Sequence, residues 1–95
     1  MTDKQVLDAV ARAKRAHRTA ETKAQRKAVR ERKKVHALFS GAQDDVGRAA
    51  RHNQLHRIDA VLDADLAIAR VRLVDSLEET RARAGEWAEL VPLVR

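Results

Sequence analysis

Apolar residues recur along this chain at helical spacing, and they do so on more than one face. From Asp3 to about Phe39 there is no Gly or Pro, and Ala, Arg, Lys, Gln and Glu, all good helix formers, dominate. At about 100° per residue, Val6, Ala9, Val10, Ala13, Ala16, Ala20, Ala24, Ala28, Val35 and Leu38 share one face. This spacing predicts one long amphipathic helix over residues 3–39, with Thr2 or Asp3 as N-cap. The stripe is narrow and mostly Ala. It lets another helix approach closely but supplies little driving force, because burial energy scales with apolar area. Glu31 lies within the stripe, so packing should loosen there, or Glu31 should find a basic partner. Ser40-Gly41 is expected to end the helix with Gly41 in a left-handed position. Lys33, Lys34 and His36 suit the negative end of the dipole.

A second helical segment is expected over residues 43–84, with Asp44 and Asp45 near its positive end. Its pattern changes phase. Val46, Ala49 and Ala50 fall on one side. Leu55, Ile58, Leu62, Leu66, Ala69, Leu73 and Leu77 fall roughly opposite. A turn near residues 52–54, or a continuous helix gripped on different sides, accounts for the jump. Residues 60–74 carry a further stripe of Val61, Ala64, Ile68, Val71 and Val74. A helix that is apolar on two sides is buried on two sides. Gly85 marks a break, and Pro92 stops a regular helix from running through the tail. Trp87, Leu90, Val91, Leu93 and Val94 are too apolar for a free tail, so they fold back or dock on a partner.

The expected fold is therefore all-α: a long antiparallel helical hairpin or a small three-helix arrangement, completed by coiled-coil-like oligomerisation. Residues 1–40 form the basic helix, 41–84 the second helical segment and 85–95 the apolar tail. The short connection at 40–43 forces antiparallel neighbours. Composition supports this picture. With 95 residues the chain holds one domain at most, and eighteen of its residues are Ala, against one Trp, one Phe and no Tyr. There is no Cys, which excludes disulfides, Cys-based zinc sites and thiol catalysis. No apolar run approaches the roughly 20 residues needed to span a bilayer, and the N-terminus lacks the apolar core of a secretory signal. An intracellular location is expected, cytoplasmic or inside a viral particle.

Charge separates the two halves. Residues 1–40 hold twelve Lys and Arg against four Asp and Glu, a balance of +8. Residues 41–95 hold eight against ten, a balance of −2. The candidate nucleic-acid contacts are Lys14, Arg15, Arg18, Lys23, Arg26, Lys27, Arg30, Arg32, Lys33 and Lys34, spread over the face away from the Ala stripe. Neutralising phosphates with Lys and Arg dominates nucleic-acid affinity, and a stiff basic helix can track a backbone or enter a major groove. A solvated charged face or an acidic protein partner fits the same residues. A membrane-surface role fits less well, because the apolar face lacks inserting Leu, Phe or Trp.

Residues 44–63, DDVGRAARHNQLHRIDAVLD, resemble a degenerate helix-turn-helix of the kind found in small regulators and sigma-factor-like proteins. Val46 to Ala50 match its first helix, His52-Asn53 its turn and Gln54 to Leu62 its recognition helix. Arg51 stands where the turn Gly is usual, and Ile58 comes one residue late. The resemblance implies that Gln54, His56 and Arg57 face base edges, with Arg48 and Arg51 on phosphate. A kinked bundle helix with polar residues at its kink is the preferred reading.

Other chemistry is weakly represented. His52 and His56 share a face, with Asp59 three residues on, but surface histidines explain the spacing better than a metal site, and none is assigned. The glycines at 41, 47 and 85 build no phosphate loop, and neither Ser40 nor Ser76 sits in a nucleophile motif. Asp59, Asp63 and Asp65 are read as intrahelical ion pairs with Arg. No catalytic residue, cofactor or small-molecule substrate is assigned. The leading expectation is a non-enzymatic, nucleic-acid-binding accessory or regulatory protein that self-associates. The alternative is a helical adaptor or structural protein, possible in a viral or phage assembly, with Leu62, Leu66, Ile68, Leu73, Leu77, Trp87 and Leu90 as its protein interface.

Overall fold

The computed structural model describes residues 1–94. Among them the elements are helix α1, Asp3–Leu38, helix α2, Asp45–Ala84, and a short 3-10 helix, Gly85–Leu90. The two long helices form an antiparallel hairpin 65 × 18 × 12 Å in extent. Its radius of gyration is 19.7 Å, against about 12 Å for a compact chain of this length. The elongation follows from the thin Ala seam, which cannot wrap into a globule.

Each of the two long helices starts with a side-chain cap. Thr2 Oγ1 accepts from the Gln5 N–H at 3.2 Å, and Gln5 Oε1 accepts from the Thr2 N–H at 2.9 Å. This reciprocal box satisfies two of the donors a helix N-terminus leaves free. At α2, Asp44 accepts from the Gly47 N–H at 2.7 Å. The end of α1 departs from expectation. Phe39 is the C-cap, and Gly41 does not adopt positive φ. The Ser40 hydroxyl donates to the Ala37 carbonyl at 3.1 Å, and the Ala42 N–H donates to the Phe39 carbonyl at 3.0 Å. With those carbonyls satisfied, no left-handed residue is required. Gly85, at φ 61°, is the glycine that needs its freedom.

Helix α2 runs unbroken through residues 51–54. The turn of the helix-turn-helix resemblance is therefore overturned, and α2 is the continuous helix of the second expectation. Arg51 is a good helix former, and no Gly opens a turn there. The change of phase has another cause. Gly47, Ala50 and Arg51 continue the half-buried row of Leu55, Ile58 and Leu62 toward α1, while Val46 and Ala49 face outward. They begin the outward stripe to which Val61, Ala64, Ile68 and Val71 belong.

The core is small and lies at the open end of the hairpin. Val6 and Val10 of α1 pack with Leu77 and Ala84 of α2 and with Val91 of the tail. Ala13, Leu73, Ala88 and Val94 flank them. Val6 is the one large side chain fully enclosed among the described residues. Further along, the seam thins to Ala24, Ala28, Ala69 and then Val35. Leu38, expected on the buried face, is 75% exposed. At that end α2 offers the half-buried Arg51 rather than an apolar side chain.

The tail sorts its residues by threes. A 3-10 helix has about three residues per turn, so positions i and i+3 eclipse. In this one, Trp87 and Leu90 share the exposed side and Ala88 packs inward; beyond its end the extended Val91 is buried, Val94 flanks the core and Leu93 stays exposed. The tail folds back, and its anchor is Val91, not Trp87.

Candidate nucleic-acid interface

Two ion pairs cross the hairpin and set its register. Lys27 Nζ lies 3.7 Å from Asp65 of α2, and Arg32 donates to Asp59 Oδ1. Five residues onward along α1 thus match six backward along α2, as antiparallel helices require. Asp59 and Asp65 are therefore interhelical partners, and the intrahelical reading of these two carboxylates is overturned. Both lie on the α1 side of α2, within reach of cations on the next helix. Each pair is part-exposed, so each contributes at most about 0.2–1 kcal/mol.

Glu31 meets both of its expectations. It accepts from Lys34 at 3.2 Å. It also lines a cleft of about 230 Å³ with Ala24, Lys27, Ala28, Ile58 and Leu62. A carboxylate on a small-residue seam holds the helices apart there.

These contacts divide the ten candidate cations. Lys27, Arg32 and Lys34 are engaged in ion pairs. Lys14, Arg15, Arg18, Lys23, Arg26, Arg30 and Lys33 are exposed and have no ion-pair partner among the described residues. Arg15, Arg26, Arg30 and Lys33 lie on the side of α1 directly away from α2, because the stripe facing α2 runs through Val10, Ala24, Ala28 and Val35. From Lys14 to Lys34 the row spans about 30 Å at a rise of about 1.5 Å per residue. That length matches about nine phosphates of one strand laid along the axis.

Sequence reasoning missed two hydroxyls in this row. Thr19 and Thr22 share a shallow surface cleft with Arg18, Lys23, Arg26 and Arg30. A hydroxyl also donates to a phosphate oxygen, more weakly than a cationic side chain and without neutralising its charge. The signal was present in the spacing, since Arg15, Thr19, Thr22 and Arg26 follow one another at helical intervals of three and four. Arg12 was also missed. It shares a groove with Arg15 and Arg83, where Asp8 offsets part of the charge.

His52 and His56 are exposed, and their rings stack with centroids 6.3 Å apart and planes 13° apart. Asp59, which follows them, is committed to Arg32. No group of three or more His, Asp or Glu able to hold a metal ion occurs among the described residues. Among the described residues no helix is long and apolar enough to cross a membrane.

The protein-interface residues do not form one surface. Leu62, Leu66 and Leu73 are half-buried against α1, and Leu77 is 3% exposed within the core. The hairpin itself uses them. Ile68, Trp87 and Leu90 remain accessible, Ile68 at 49%. No protein-family model, no curated protein and no solved structure matches the chain.

Proposed function

We propose that this protein is a non-enzymatic nucleic-acid-binding accessory protein that acts inside the cell or a viral particle. It lays the outer face of α1 along a phosphate backbone. One observation carries the reading. The hairpin neutralises Lys27 and Arg32 internally, yet among the described residues it leaves seven candidate cations unpaired on the exposed sides of a stiff helix, four of them directly away from α2. Unpaired cations in a row raise the local potential and steer a polyanion toward them. The contacts are to phosphate rather than to bases, so binding is sequence-tolerant. Titration against duplex DNA and RNA over a salt series tests it. Affinity should fall steeply and log-linearly with salt. Affinity indifferent to salt, or no binding at low salt, rejects the reading.

A second reading draws on a different observation. Trp87, Leu90 and Leu93 form an outward apolar row on the tail. Such a row favours an adaptor that docks a protein partner, since exposed aromatic anchors are frequent interface hot spots. Recovery of one protein from nuclease-treated lysate, lost on Trp87→Ala and Leu90→Ala, would favour this alternative.

A further inference from the structure

The outward face of α2 is apolar over residues 60–71, and only its edge meets α1, where Arg57, Val61 and Ile68 border the clefts between the two helices. Ala60, Val61, Ala64, Ala67, Ile68 and Val71 are all exposed there. Arg57 and Asp75 stand at the two ends of this stretch, exposed and without ion-pair partners among the described residues. The stripe has a mirror order about the level of residue 66. Val61 and Val71 are equidistant from it, as are Ala64 and Ile68, and as are Arg57 and Asp75.

We infer that a second copy of this chain docks on this face, its α2 antiparallel to the first about a two-fold axis at the level of residue 66. Under that operation Val61 meets Val71 of the partner subunit. Ala64 meets Ile68 of the partner subunit, a small residue opposite a large one. Arg57 meets Asp75 of the partner subunit, and the pair occurs twice. A parallel pairing in register would set Arg57 against Arg57 of the partner subunit, and likewise the two Asp75 carboxylates, so charge selects the antiparallel arrangement.

The face lies opposite the one that holds α1, so the two α2 helices form the centre and the α1 helices lie outermost. The two α1 axes are then about 25 Å apart, roughly three helix spacings, and the basic rows on their outer sides are farther apart still, beyond the Debye length at physiological salt. Their mutual repulsion is therefore small. The stretch between Arg57 and Asp75 covers about 27 Å of a helix about 10 Å wide, or roughly 540 Å² over both chains. That is small for a specific interface, so the association is weak and is sought at high concentration.

The inference is independent of nucleic-acid binding and is tested without nucleic acid, by sedimentation equilibrium of the full chain at about 100 μM and near-physiological salt. The expected mass is twice the 10.7 kDa of the chain. Ile68→Asp should give the monomer mass with helicity unchanged by circular dichroism. Arg57→Asp or Asp75→Arg alone should weaken association at least about tenfold, and the two together should restore it to within about threefold. A monomeric wild-type chain overturns the inference and leaves the face to a different protein. So does a dimer that survives Ile68→Asp, or a double charge swap that fails to restore association.

Discussion

Arg32 of α1 donates to the carboxylate of Asp59 on α2, joining residues 27 apart in sequence across the hairpin. The contact removes one cation from the basic face and helps set the register of the two helices. Both side chains are part-exposed, so the coupling is modest. A double-mutant cycle of Arg32→Ala and Asp59→Ala, read by thermal denaturation, should give about 0.2–1 kcal/mol. The coupling should shrink in high salt, because the pair is open to screening.

The same division of cations predicts which substitutions affect binding. Replacing Arg15, Arg26, Arg30 and Lys33 with Gln should remove four phosphate contacts. The salt slope on duplex DNA should then fall by roughly 3.6, at about 0.9 per contact. Lys27→Gln and Arg32→Gln should change the slope far less, since their charges are already met by Asp65 and Asp59. Fluorescence anisotropy across a salt series separates the two sets.

The tail is part of the fold before it is part of any interface. Truncation after Ala84 removes Val91 from its contact with Val6 and Val10. Uncovering that cluster should cost at least about 1.5–3 kcal/mol, the scale of burying one aliphatic side chain. Trp87→Ala and Leu93→Ala, on the outward row, should each cost less than about 1 kcal/mol. Thermal melts of the three proteins check this ordering. Point substitutions on the outward row are therefore the cleaner test of docking.

Leu77 and Val6 hold the open end of the hairpin. Leu77→Ala should destabilise by about 2–5 kcal/mol, as buried Leu truncations do. Leu62→Ala, at a half-buried position, should cost less. Urea titration of both variants gives the comparison.

Three glycines should respond differently to Ala. At Gly47 a Cβ would lie 2.7 Å from Asp44 Oδ1 and 2.8 Å from Ala42 Cβ. The substitution should displace the Asp44 cap, at a cost of about 0.5–2 kcal/mol, and so offset the usual helix-propensity gain of Ala. Gly85→Ala should cost about 1–3 kcal/mol, because φ 61° strains any L side chain. Gly41→Ala meets open space without positive φ and should stabilise by about 0.4–1 kcal/mol through the unfolded chain. Thermal melts of the set resolve the signs.

By itself the sequence determined what depends on near neighbours. The helix formers from Asp3 onward, a cap at Thr2 or Asp3, the acidic helix start at Asp44 and Asp45, the break at Gly85 and the Ala-rich stripe with its partner row from Leu55 to Leu77 are all local or periodic signals. So is the basic character of α1. Tertiary structure decided the rest. Residues 51–54 suggested a turn because two apolar rows change place there, and periodicity alone does not say which row a neighbour covers. Once α1 takes the row through Leu55 and Leu62, α2 continues unbroken, and Val46 joins Ile68 on the outside. The partners of Asp59 and Asp65 were likewise unreadable. An intrahelical pair and an interhelical pair use the same residue types, and only register chooses between them. In the tail, Val91 and Trp87 look equally apolar. The 3-10 turn started by Gly85 leaves Trp87 in solvent, and the extended backbone that follows it lays Val91 into the core.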